Sequence, residues 1–420
     1  MATDLTILQL GPKGDGISEG PNGPIFVDRA MPGDKVAVRI QIDSRGIHRG
    51  EITELLESSP YRRAAPCPHY ETCGNCTLQH LDEQYYRDWK VEMVKDALTK
   101  QRLRPEEWKE PVFIGEKKRR RATFAAFKQR DKVVMGYYRR RSKQIADVKS
   151  CLVGDPKLLS LRNAVQNYIG PVLRAYTPTD IFLQVVGDSA DMLITGPVGR
   201  TGVPDSQVVQ YLEPLLEITS LCRIAWRESE EAPIKIIASH QPITATFGAL
   251  KVNLPPDAFL QPTVNGERAL VDCVLGALPE KGKFADLFSG CGTFSGPMLA
   301  RGSVDCFESS QEAVSALGKA ARGRQLRAVR RDLFRNPLRR EEANQYDAIV
   351  FDPPRAGSPE QAMALKSAKV PVIIGVSCNP ATFARDARIL CGGGYRLKSV
   401  QIVDQFHWSH HVEMVGVFVR

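Results

Sequence analysis

The sequence predicts an α/β protein in three parts. These are a small N-terminal OB-like β-barrel over residues 1–58, a mixed α+β central domain over residues 59–250, and a C-terminal doubly wound, Rossmann-like domain over residues 251–420. Three observations carry this. The chain has 420 residues, room for about three domains of ~150 residues. Its first 58 residues are short alternating segments cut by Gly/Pro turns. From residue 283 onward, strand patterns alternate with helix patterns, the rhythm of a mostly parallel sheet.

Each part rests on its own residues. LTILQL, GPIFV, DKVAVRIQI and HRGEITELL are separated by GPKGDG, EGPNGP and MPGD, the punctuation of a small β-barrel. Ser59-Pro60 and Ala65-Pro66 mark the exit. Residues 81–103 contain no Gly or Pro and show an apolar face, which predicts a helix. Residues 110–245 mix strands and helices. In the last part, KFADLFSG reads as a strand entering a Gly-rich turn, SVDCFESS as a second strand and QEAVSALGKAARG as a helix. YDAIVFDPP, VPVIIGVSCNP and VEMVGVFVR are further strands. Ligands of such sheets bind at the carboxyl ends of the strands.

Composition narrows the function. Apolar residues are 43% and charged residues 25%, which excludes a disordered chain. No apolar run approaches the ~18 residues that cross a bilayer. The N-terminus has no basic start, apolar stretch or cleavage site, so a cytoplasmic protein is expected. The net charge is +9, and Gly115–Lys143 alone holds twelve Lys/Arg against two acids. That density suits a polyanion, and Phe124, Phe127, Tyr137 and Tyr138 are interleaved where they can stack on bases.

Five constellations carry chemistry. Asp286–Phe294 (DLFSGCGTF) joins a strand to a helix, and Gly290 and Gly292 let its backbone approach a ligand. Glu308 ends the next strand, where an acid accepts from ribose hydroxyls. The turn has no Walker lysine, so a nucleoside cofactor other than ATP is favoured. Asp352-Pro353-Pro354-Arg355 ends a strand beside the cleft. An aromatic in its fourth place would suit amino-group methylation of a base; Arg355 argues for another target atom. Ser377-Cys378-Asn379-Pro380 leaves a thiol at a strand exit, a nucleophile if neighbouring donors or positive charge lower its pKa. The run Asp404–Glu413 holds three imidazoles and two acids without recognisable zinc spacing. Glu413 is the favoured base, with Asp404, His407, His410 and His411 as reserves. Finally, Cys67, Cys73, Cys76 and Cys151 can hold zinc or an iron–sulfur cluster; spacing alone does not choose.

Together these residues resemble the RNA 5-methyluridine (uracil-C5) methyltransferase family, over essentially the whole chain. The resemblance implies a TRAM domain at the N-terminus, with Gly33 in its Pro-Gly-Asp turn, and a C-terminal S-adenosylmethionine-dependent methyltransferase domain. It implies a [4Fe-4S] cluster on Cys67, Cys73, Cys76 and Cys151, and S-adenosylmethionine contacts at Gln261, Phe288, Glu308 and Asp352. It implies Cys378 as nucleophile and Glu413 as the base that removes the C5 proton. Departures at Thr263, Thr293, His407 and Ser409 concern the subfamily. The pattern is most like the 23S rRNA members, so structured RNA is the expected partner: ribosomal RNA first, a tRNA T-loop uridine as the alternative. No membrane or protein partner is implied. A catalytically inactive iron–sulfur RNA-binding protein is the alternative of another class.

Overall fold

The protein is described by a computed structural model covering residues 2–420. Three main sheets organise it. The first contains six short strands in the order Thr3–Thr6, Lys35–Ile42, His48–Glu57, Gly23–Val27, Gly16–Gly20, Gln9–Leu10. Its alternating residues Ile25, Val27, Val36 and Val38 close a small core with Ile7 and Ala30. Its two edge strands, Thr3–Thr6 and Gln9–Leu10, follow one another in the chain, and between them the Ile7 N–H donates to the Asp34 carbonyl and the Leu8 N–H to the Ile17 carbonyl, so one continuous segment reaches both edges of the sheet.

The central sheet runs Ile145–Asp147, Lys132–Tyr138, Arg121–Gln129, Thr179–Val186, Ser189–Thr195, Leu221–Arg227, Lys235–Ser239. Helix Pro156–Tyr168 packs against it through Leu158, Leu161 and Val165. The basic hairpin Arg121–Tyr138 lies in this sheet. Phe124 is fully buried in its core and Tyr137 is half-buried against it, so neither is free to stack on a base. The alternation that makes residues 121–129 a strand turns Phe124 inward.

The third sheet is the doubly wound one. Its order is Leu326–Arg330, Gly302–Glu308, Gly282–Leu287, Ala348–Phe351, Val372–Ser377, Glu413–Val419, Arg396–Asp404. The first five strands are parallel, and Glu413–Val419 inserts antiparallel between its two neighbours. Residues assigned by sequence to the central part complete this sheet. Glu107–Trp108 and Val112–Phe113 pair with Arg396–Asp404. Helix Glu83–Lys100, started by the Asp82 carboxylate accepting from the Tyr85 N–H, buries Tyr86, Lys90, Val94 and Leu98 at four-residue spacing. Val94 and Leu98 join the core of the third sheet. Among the described residues no helix is long and apolar enough to cross a membrane.

Candidate active site

Adjacent strands deliver the reactive groups to one place. Ser377 and Met414 are the last partners of the antiparallel ladder between Val372–Ser377 and Glu413–Val419. Cys378 and Glu413 are therefore the next opposing pair, where the ladder opens. Asp352 follows Phe351, which is paired with Gly375 on the other side of the same strand. The Cys378 thiol is half-buried and the Glu413 carboxyl buried.

A chain of side-chain amides links the carboxyls. Gln261 Nε2 donates to Asp352 Oδ2 at 3.4 Å, Gln405 Nε2 donates to Gln261 Oε1 at 2.7 Å, and the same Nε2 reaches Glu413 Oε1 at 3.5 Å. Burial pushes the Asp352 carboxyl up to about 7. Burial, then the charge of Asp352, pushes Glu413 up to about 8, against the Gln405 hydrogen bond and Arg121. Cys378 is pushed up to about 12 by burial and by the charges of Glu413 and Asp352, with Arg355 opposing. The expected lowering of the thiol pKa is absent in this state: burial first, and then two carboxyls, outweigh one guanidinium.

The Gly-rich turn lies two strands away. Phe288, Gly290 and Gly292 have φ of 62°, 52° and 99°. A Cβ on Gly290 would meet nothing within 4 Å, so that side of the turn is open. Glu308 Oε2 accepts from the Gly290 N–H at 3.1 Å and Oε1 from the Ser310 N–H at 2.8 Å. This fixes the half-buried carboxylate and leaves lone pairs for hydroxyl donors. The Phe288 ring packs 5.4 Å from Phe334. Asp286 Oδ1 and Ser289 Oγ are buried at the turn without partners. These features fit a nucleoside with ribose hydroxyls.

Comparison with known proteins places the chain. Residues 325–420 match the family model "tRNA (Uracil-5-)-methyltransferase". An uncharacterized RNA methyltransferase of Brucella melitensis is 36% identical over 99% of this chain and 97% of its own. The chain belongs to the RNA uracil-5-methyltransferase family. The 23S rRNA (uracil(1939)-C(5))-methyltransferase RlmD of Acinetobacter baumannii is 30% identical over 94% of this chain and 89% of its own length. The Pyrococcus abyssi tRNA (uracil-54, C5)-methyltransferase, solved with S-adenosyl-L-homocysteine, shares the fold at TM-score 0.75 and 23% identity, covering 99% of each chain.

In this RNA methyltransferase the four cysteines predicted as ligands lie together. Cys73 faces Cys151 and Cys67, Cys76 faces Cys151 and Cys73, and Cys151 faces Cys67 closely enough for their charges to interact. The Asn75 N–H donates to Cys73, the Gln79 side chain to Cys76, and the Val153 and Gly154 N–H groups to Cys151. Such donors suit bound thiolates. Among the described residues, no three Cys, His, Asp or Glu side chains converge tightly enough for a single metal ion.

Much of the methyltransferase's basic segment is spoken for internally. Arg120 pairs with Glu267 at 2.5 Å and donates to the Gln261 carbonyl at 3.0 Å. Arg140 and Arg141 reach Asp15 at 2.6 and 2.7 Å. Among the described residues, Lys117, Lys118, Arg130, Lys132, Arg139 and Lys143 remain exposed without an ion pair. Of the reserve bases, Asp404 is held by Lys90 and Tyr86. Sequence reasoning missed Gln405, although it sits inside the run singled out. Asp332, two residues past strand Leu326–Arg330, accepts from the Phe334 N–H at 3.0 Å.

Proposed function

We propose that the protein transfers a methyl group from S-adenosylmethionine to C5 of a uridine in 23S rRNA through a covalent bond between Cys378 and C6. The opposition of Cys378 and Glu413 at the open end of one ladder carries the reading. Uracil C5 is a weak nucleophile. Addition of the Cys378 thiolate to C6 opens the C5=C6 bond and makes C5 an enolate carbon that takes the methyl group. Glu413 then removes the C5 proton, the double bond re-forms and the Cys378 sulfur leaves with the bonding pair. S-adenosylmethionine supplies the electrophilic methyl when bound, and Gln261, Phe288, Glu308 and Asp352 are the residues that would hold it. The target base has to leave its stack to reach the thiol.

The raised pKa values suit this sequence. Burial holds the Cys378 thiol up to about 12, and the charges of Glu413 and Asp352 add to it; that added repulsion is lost once the two carboxyls are protonated, which begins below about 8 and about 7. Proton removal from C5 then needs Glu413 ionised. A base whose pKa lies near the working pH serves both demands.

The four cysteines are proposed to hold a [4Fe-4S] cluster, supported by their lying near one another and by N–H donors to Cys73, Cys76 and Cys151. Residues 1–58 are proposed as a TRAM-like unit and 59–250 as the cluster and RNA-binding part. Residues 251–420, with the packed-on segment 83–113, are proposed as the methyltransferase unit. The rRNA assignment leans on the 30% identical relative named for 23S rRNA; a tRNA T-loop uridine is the competing substrate. Methylation of purified 23S rRNA and tRNA in vitro, with 5-methyluridine mapped in cells with and without the gene, tests it. Label in tRNA alone would move the target, and label in neither would overturn the activity.

A further inference from the structure

The loop between Asp404 and Glu413 is fixed by residues more than three hundred positions earlier. Lys90, fully buried, donates through Nζ to Asp404 Oδ1 at 3.0 Å and also to the His411 carbonyl. It thus ties the first residue of the loop to one two places before Glu413. The Tyr86 hydroxyl donates to Asp404 Oδ2 and accepts from the Trp408 N–H at 3.1 Å. The Trp408 carbonyl accepts from the Thr77 and Leu78 N–H groups at 2.9 and 3.1 Å, just after Cys76. Trp408 has φ of 58°, a left-handed conformation that a bulky residue adopts only when its surroundings impose it. Both of its backbone groups are held, and its ring is buried. Gln405, on the same loop, donates to Gln261 and Glu413.

We propose that Tyr86 and Lys90 are positioning residues for Glu413: they set the shape of the loop that aims this carboxylate at the C5 proton. They touch neither substrate nor cofactor and act through Asp404, Trp408 and His411. The proposal rests on the functional reading above. It specifies a step: loosening the loop should slow proton removal more than thiol addition or methyl transfer, because Cys378 is carried by a different strand.

The test follows the covalent RNA–protein species in single-turnover reactions on denaturing gels. The wild-type enzyme, Tyr86→Phe, and the double variant Lys90→Met/Asp404→Asn are compared. The double variant removes both partners of the buried ion pair and so avoids leaving one charge unpaired. Thermal melting confirms that each is folded. Expected is an adduct carrying the methyl group, formed at close to the wild-type rate but resolved tenfold or more slowly. A purely structural role would lower formation and resolution together, by reducing the active fraction, and would leave no long-lived methylated adduct. Folded variants that resolve the adduct at the wild-type rate overturn the proposal. A wild-type enzyme that forms no trapped adduct with 5-fluorouridine RNA overturns the covalent reading itself, which separates the two failures.

Discussion

Replacing Glu413 by Gln removes the proposed base while keeping its size and its place beside Gln405. The carboxyl is buried and held up to about 8, so about a tenth of it is ionised at pH 7 and about half at pH 8. In the wild-type enzyme the rate of adduct resolution should therefore climb roughly fivefold from pH 7 to pH 8 and level off above about pH 9. In Glu413→Gln that rise should vanish. Resolution should fall ~10²–10⁴-fold, about 3–5 kcal/mol of barrier, and methylated RNA should accumulate on Cys378. Rapid quench at several pH values, with formation and resolution of the adduct fitted separately, reads both effects. The same group makes a stability prediction. Its pKa is raised from 4.5 to about 8 on folding, so its stabilising effect is full below about 4.5 and lost as pH rises toward about 8. The Tm of Glu413→Gln relative to wild type should therefore rise from pH 5 to pH 9. A resolution rate that keeps its pH limb in the variant would refute the assignment and turn attention to the imidazoles of the same loop.

Cys378→Ala should abolish both methyl transfer and adduct, because in the proposed mechanism C6 addition precedes every later step; substantial residual activity in purified protein would remove the thiol mechanism. Anaerobically purified protein should be brown, with about four irons per chain, and Cys73→Ser should lose the colour; colourless protein with one zinc would overturn the cluster. Replacing exposed Lys117, Lys118 and Arg139 by Ala should flatten the slope of log K against log[salt] by roughly 0.7–0.9 for each phosphate that is no longer neutralised. An unchanged slope in a filter-binding titration would put the RNA elsewhere.

What the sequence displayed were features carried within a few residues. Asp286, Glu308, Asp352 and Cys378 each stand at a strand's carboxyl end, and each strand is announced by its own apolar run and the turn after it. Gly290 and Gly292 are legible because a tight turn needs them. Charge was legible in amount and not in disposition: the partners of Arg120, Arg140 and Arg141 are Glu267 and Asp15, far off in the chain. Phe124 and Tyr137 of the basic hairpin were read as surface because their strand register was unknown, whereas Tyr138 is exposed as expected. Lys90 gave a clue that went unread. A lysine in the stripe Tyr86, Lys90, Val94, Leu98 is either a mispatterned surface or a buried cation with a partner, and only the tertiary structure names Asp404.

The anchoring of the Asp404–Glu413 loop also has a consequence for how the molecule is made. Its key contacts join residues 314 and 318 positions apart. Helix Glu83–Lys100 and the short strands Glu107–Trp108 and Val112–Phe113 emerge early in synthesis, yet the strand and loop that cover them come last. Until then the helix presents an apolar stripe with an uncompensated ammonium. Contacts of such long span slow the final step of folding and leave the unfinished chain dependent on dilution or chaperones. Glu413, the proposed base, is thus among the last groups to be set in place.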